Sequence, residues 1–156
     1  MTKDEYYINI AREVSKASKC QRSHFGSVVV KNDTIIGTGY NGPARGVDHC
    51  NPCRRADCAP GSGYEKCIAV HAEVNGVVQA GGRQGCLGAT MYMGSHNRKY
   101  DGTVYNASMG DFPCDNCARV LVNAGIVWLV QAEIKDGKEV IVRYNLPKLV
   151  ESGELV

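Results

Sequence analysis

Two short stretches, far apart in the chain, constrain it more than any composition figure does. His71-Ala72-Glu73 offers an imidazole and a carboxylate two residues apart, and Pro113-Cys114-Asp115-Asn116-Cys117 offers two thiols three residues apart. Thiols at that spacing share one face of a helical turn and reach one ion together. A fold that uses both stretches must bring position 71 against positions 114 and 117. A lone Cys-x-x-Cys pair fits a zinc knuckle or a redox couple. Joined to His71-Ala72-Glu73 it points to a catalytic Zn2+, because three protein ligands leave a fourth corner for water, whereas a structural zinc takes four ligands and has no use for a neighbouring acid. His71, Cys114 and Cys117 are the expected ligands and Glu73 the acid/base residue.

The chemistry follows from the ligand charges. Two thiolates and a neutral imidazole leave Zn2+ formally uncharged, so its water needs a nearby base to become a nucleophile. Glu73 can take that proton, pass it to a ring nitrogen and later protonate a departing amine. The pattern resembles the H-x-E…P-C-x-x-C signature of zinc-dependent nucleobase deaminases, and that resemblance implies hydrolytic deamination of an amidine-type carbon. On a regular helix, side chains at i and i+2 diverge. Either one of His71 and Glu73 therefore sits at an irregular helix start, or the carboxylate reaches the water from the side.

The 156-residue chain as a whole sets the frame. Its length suits a single domain, 1–156, with the segment from about 133 as a small C-terminal extension. With 18 basic and 16 acidic residues the net charge is +2, too balanced to argue for a nucleic-acid or membrane surface. No apolar run approaches the ~18 residues of a membrane span. The polar start, Met1-Thr2-Lys3-Asp4-Glu5, does not read as a signal peptide, so a cytoplasmic location is expected. In that setting the eight cysteines indicate metal binding or reactivity rather than disulfides.

Hydrophobic periodicity predicts a helix over Asp4–Lys19, capped by Asp4, with a stripe of Tyr7, Ile10, Ala11, Val14 and Ala17. Phe25–Val30 and Thr34–Gly39 flank the turn Lys31-Asn32-Asp33 and predict a hairpin. Residues 42–66 form a long polar loop, of the kind that is functional or fastened by something other than a core. Helices are predicted over Ile68–Ala80 and Cys114–Ala124, and strands over Ala89–Met93, Ile126–Val130 and Val140–Val142. Alternating strands and helices give an α/β layered fold. Both half-motifs fall at helix starts, where unpaired N–H groups and the helix dipole favour thiolates.

Beyond the metal motif, several stretches resemble the deoxycytidylate (dCMP) deaminase family within the cytidine deaminase superfamily. They are Asp4-Glu5-Tyr6-Tyr7 with Ile10-Ala11, Ser18-Lys19-Cys20, Phe25-Gly26-Ser27-Val28-Val29-Val30, Gly39-Tyr40-Asn41-Gly42-Pro43 with Gly46 and His49-Cys50, His71-Ala72-Glu73-Val74-Asn75, and Gly88-Ala89-Thr90-Met91-Tyr92. The H-x-E…P-C-x-x-C motif specifies the superfamily of zinc deaminases; the Gly-Tyr-Asn-Gly-x-x-x-Gly loop and the His-Cys pair narrow it to the dCMP branch. The resemblance covers residues ~4–131 and implies a three-layer α-β-α fold around a five-stranded mixed sheet. It implies conversion of dCMP to dUMP and ammonia, with zinc-bound water as nucleophile and Glu73 as proton shuttle. By the same resemblance Asn41 contacts the sugar and the Ala72 backbone N–H the pyrimidine carbonyl. A homo-oligomer (hexamer or dimer) and dCTP and dTTP effectors, with Mg2+, are also implied.

The chain departs from the family in the longer segment Gly94–Phe112. Tyr100 or Tyr105 there could stack on a base, or the segment could be a surface hairpin. Asp111-Phe112 replaces a small hydroxyl residue before Pro113. A second, structural zinc is expected on Cys20, Cys50, Cys53 and Cys67, with Cys58 in alternative sets; Cys86 reads as a packed core residue. Asn75 reads equally as helix packing or site. Competing functions are a tRNA adenosine deaminase, which would need a more basic surface than the local Arg45, Arg54 and Arg55 cluster, a free-base or nucleoside deaminase, and a non-enzymatic zinc module.

Overall fold

The computed structural model describes residues 1–59, 61–96, 98–100, 103–105 and 113–153. Its elements in chain order are α1 (Lys3–Ser15), β1 (Gly26–Lys31), β2 (Thr34–Tyr40), β3 (Gly42–Pro43), a 3-10 turn (Tyr64–Lys66), β4 (Ala69–Val70), α2 (Ala72–Gln79), α3 (Arg83–Cys86), β5 (Thr90–Gly94), β6 (Arg98–Tyr100), β7 (Thr103–Tyr105), α4 (Asp115–Asn123), β8 (Trp128–Lys135), β9 (Lys138–Asn145) and α5 (Leu146–Ser152). Five strands form one mixed sheet in the order β2-β1-β5-β8-β9. Only β5 and β8 run parallel; the other pairs are antiparallel.

α1 covers one face, where Tyr7, Ile8 and Ala11 pack on Val28, Val30, Tyr92 and Val130. The other face carries Val29, Met91, Met93 and Leu129 against Ala72, Val77, Leu121, Leu146 and Leu149 of α2, α4 and α5. The alternation of Val28/Val29/Val30 and Met91/Tyr92/Met93 between two cores is the period-2 signature of a strand buried on both sides. The layered α-β-α fold expected from the sequence is the one observed. Among the described residues no helix is long and apolar enough to cross a membrane.

Several local readings differ. Thr2, not Asp4, caps α1: its side chain accepts from Glu5 N while Thr2 N donates to the Glu5 carboxylate at 2.6 Å, a closed capping box. Asp4 instead accepts from the Tyr92 hydroxyl and takes a two-pronged bond from Arg143 at 2.8 and 2.9 Å, tying α1 to the sheet. α1 stops at Ser15, so Ala17 is exposed and the buried stripe passes through Ile8 rather than Ile10. The hairpin turn is built on Asn32 and Asp33, both at positive φ (52° and 53°), the geometry of the two-residue turns Asn and Asp tolerate.

Residues from 133 onward complete β8 and supply β9, the fifth strand, and α5. β6 and β7 pair as a short hairpin within the long 94–112 segment and carry Tyr100 and Tyr105. The turn expected at Asp101-Gly102 and the Asp111-Phe112 pair lie outside the described residues.

α2 lies unusually close to the sheet. A Cβ on Gly39 would stand 2.3 Å from Gly76 N and one on Gly37 2.8 Å from Ala80 N, so both strand positions need glycine for the helix backbone to rest there. Ser27, fully buried on β1, donates to Ala72 O at 2.7 Å and fixes the first turn of α2.

Candidate metal centre

Each half-motif opens a helix with its first ligand at the N-cap. His71 caps α2 at φ −68°, ψ 152°, and Cys114 caps α4 at φ −63°, ψ 151°. α4 precedes β8 and α2 precedes β5, so both helices run back along parallel strands and their N-termini meet at the strands' carboxyl ends, where α/β sheets place their ligands. The extended conformation at position 71 settles the divergence of His71 and Glu73. His71 lies outside the helix, and only Ala72 and Glu73 belong to it.

His71 Nδ1 lies 3.2 Å from Cys117 Sγ and 3.5 Å from Cys114 Sγ. The three ligand atoms all fall within 4.8 Å of one another, the only such group of three or more among the described residues. Zn–S bonds of about 2.3 Å and Zn–N bonds of about 2.0 Å at a tetrahedral angle would separate S from N by about 3.5 Å. The donor set and its spacing therefore fit zinc. Cys117 is buried, while His71 and Cys114 are exposed, leaving the open side toward solvent.

The electrostatics prepare the site for a cation. Cys114 Sγ accepts from Cys117 N at 3.4 Å. The hydrogen bond from the Cys117 thiol, with those from His71 and the Cys117 amide, lowers the Cys114 thiol to about 4. Cys117 moves up, because its thiol is bonded to Cys114 and buried. His71 is raised by its bond to Cys114, against the effect of burial. Glu73, 7% exposed, is pushed up by burial, opposed by its own backbone N–H and by His71. The close thiol pair thus favours a thiolate at Cys114, and a metal ligand must be deprotonated to bind.

Asn41 is buried and held by its neighbours. Its Oδ1 accepts from Phe25 N at 2.8 Å, its Nδ2 donates to Ser23 O at 2.9 Å, and its carbonyl accepts from Ser18 Oγ. One amide hydrogen and one lone pair remain for another partner. Ala72 is buried at the first helical position, where a backbone N–H has no acceptor within the helix.

For the second zinc expected on Cys20, Cys50, Cys53 and Cys67, with Cys58 in alternative sets, the structure offers no support: among the described residues none of these thiols belongs to a group of three donors close enough for one ion. Polar bonds hold the loop instead. Gln21 accepts from Cys53 N at 3.0 Å and donates to the Asn51 side chain at 3.1 Å, and Arg22 donates to Arg55 O at 2.6 Å. Arg55 is itself part of this packing: it is 9% exposed, bonds Ser62 O and lies 4.0 Å over the Tyr64 ring, while Arg45 and Arg54 face solvent. Cys86 is fully buried, as expected. Asn75, weighed evenly on sequence, hydrogen-bonds Tyr40 O at 2.8 Å.

A sequence profile described as the cytidine and deoxycytidylate deaminase zinc-binding region matches residues 1–133. The deoxycytidylate deaminase of Mycobacterium phage D29 is 35% identical over 130 residues, spanning 79% of this chain and 88% of that protein. The deoxycytidylate deaminase of Schizosaccharomyces pombe is 38% identical over 82 residues, but the match spans only 26% of that longer protein. The crystal structure of dCMP deaminase from cyanophage S-TIM5 in complex with dCMP and dUMP superposes with a TM-score of 0.58 at 25% identity, covering 83% of this chain and 81% of that one.

Proposed function

The chain belongs to the cytidine and deoxycytidylate deaminase family, and from that premise and its metal centre we infer that it hydrolyses dCMP to dUMP and ammonia. The observation that carries the reading is the convergence of His71, Cys114 and Cys117 at two helix N-termini with the buried Glu73 beside them. Zinc, when bound, supplies a Lewis acid that makes water a nucleophile near neutral pH. His71, Cys114 and Cys117 would hold it.

Glu73 is our candidate catalytic residue. Its burial strips water from the carboxylate and so suits it to exchange protons within the site. It takes the proton released as water adds to C4 of the cytosine ring, delivers it to N3, and helps protonate the amine that leaves as ammonia. The Ala72 N–H has no acceptor within the helix, which supports its use on the pyrimidine carbonyl. Asn41 uses its remaining capacity on the sugar. A dimer or hexamer, and effector control by dCTP and dTTP with Mg2+, extend the proposal from the family resemblance alone. Cytoplasmic location belongs to the same reading.

The test is ammonia release from dCMP, deoxycytidine, dCTP, guanine and a tRNA or single-stranded DNA substrate. dCMP is expected to give the highest kcat/KM. A preference for the nucleic acid or for the unphosphorylated compounds would overturn the assignment.

A further inference from the structure

Asn75 touches the backbone on both sides of the candidate site. It lies in the first turn of α2, and its N–H donates to His71 O at 3.0 Å. Its Nδ2 donates to Tyr40 O at 2.8 Å and, more weakly, to Val70 O at 3.5 Å. Val70 immediately precedes His71, and Tyr40 immediately precedes Asn41. One side chain therefore joins the peptide leading into a metal ligand to the peptide leading into the loop residue Asn41.

The other links are the seat of α2 on Gly39, the Ser27 hydroxyl, which reaches both Gly39 O and Ala72 O, and a short ladder. The β3–β4 ladder between these segments is two residues long on each strand, with Gly42 opposite Val70 and Pro43 opposite Ala69. Asn41 is already held from its far side by Ser18, Ser23 and Phe25. The Asn75 amide closes the near side. An amide suits this place because its NH2 group has two hydrogens for two carbonyls, whereas a carboxylate has none.

We propose that Asn75 is a positioning residue that locks the metal ligand His71 to the substrate loop at Asn41, setting both metal retention and substrate affinity. The substrate half rests on the deaminase reading; the metal half does not. Zinc affinity of Asn75→Ala, measured by competition with a chromogenic chelator, is expected to fall about 10–100-fold, the usual cost of losing a partner behind a metal ligand. KM for dCMP is expected to rise by a larger factor than kcat falls. Asn75→Asp places a carboxylate against two carbonyls and should lose more than Asn75→Ala, while Asn75→Gln, which keeps the amide donor, should recover part of both properties.

A purely structural role would lower the melting temperature and leave zinc affinity, and the order of the three variants, unmoved. Zinc affinity within twofold of the unsubstituted protein in both Asn75→Ala and Asn75→Asp overturns the proposal. Should Asn75→Ala not fold, the Asp and Gln variants carry the comparison. A protein that binds zinc but does not turn over dCMP would defeat the substrate assignment and leave the zinc measurement to decide the role of Asn75.

Discussion

Replacing Gly39 with alanine tests whether the site's geometry is set by how closely α2 rests on the sheet. The added Cβ would stand 2.3 Å from Gly76 N and 2.5 Å from Ala72 O, where ordinary contact begins at 3.4 Å. Both neighbours are helix backbone, which cannot swing aside, so α2 must retreat by about 1 Å. Glu73 rides on its first turn and His71 is its N-cap, while Cys114 and Cys117 sit at the start of α4 and stay. The S–N separations, now 3.2 and 3.5 Å, would open past the roughly 3.5 Å that a tetrahedral zinc requires. A misplacement of about 1 Å costs on the order of 100-fold in rate, and overpacking of this kind about 1–3 kcal/mol in stability. Steady-state kinetics, chelator competition and urea unfolding on Gly39→Ala measure all three. A folded variant with unchanged zinc affinity and turnover would show that the Gly37-x-Gly39 seat does not position the ligands.

Three further outcomes are expected. Glu73→Gln keeps the ligand triad intact, so it should retain zinc while kcat falls about 100–10,000-fold; native turnover would remove Glu73 from the reaction. Chelation should abolish activity and lower the melting temperature, and metal analysis should find one tightly held zinc per chain, since the cysteines of the 50–67 loop form no second set; a second equivalent at similar affinity would mean that loop closes differently. His96 stacks on His24 with ring centroids 5.2 Å apart, and its Nδ1 is buried with no partner among the described residues. Burial, then the proximity of His24 and Lys16, holds its imidazole below the usual range, with Glu13 opposing. The folded state thus favours neutral His96, and stability should fall as pH drops below the unfolded value of about 6.5. The unfolding midpoint of His96→Gln should fall less over that range; an identical slope would refute the assignment.

Most of the fold was legible because the longer strands and helices around the sheet carry a clear period. What the sequence obscured has local causes. β9 showed only Val140–Val142 as a strand, since it is a sheet-edge strand whose burial alternates and whose ends are charged or polar. Ser15 is buried through bonds to Arg12 O and His96 N, a partner 81 residues away that no periodicity announces. Cys20, Cys50, Cys53 and Cys67 looked like a metal set by spacing and by the family resemblance, yet neither says where Gln21 and Arg22 pin that loop.

The meeting of His71, Cys114 and Cys117 was legible for a different reason than the fold: their chemistry is rare and their spacing is short. Their backbone placement was legible in part: both half-motifs read as helix starts and the second helix as opening at Cys114, but the apolar pattern carries the first back to Ile68, through His71, because neither ligand is an ordinary N-cap residue. Placing the ligand at the cap has a consequence. An N-cap residue in the extended region is free of the helical path, while the residues that follow are committed to it. Cys114 takes the Cys117 N–H on its sulfur, as a Ser or Asp cap would on oxygen, so the bond that starts α4 also stabilises a thiolate. At α2 the cap side chain forms no such bond. The imidazole is left to the thiols, and the turn it would have closed is held from behind by Ser27 and Asn75. One half of the site is thus ordered by its own ligand and the other by neighbours, which makes the His71 half the one that substitutions outside the ligand set can disturb.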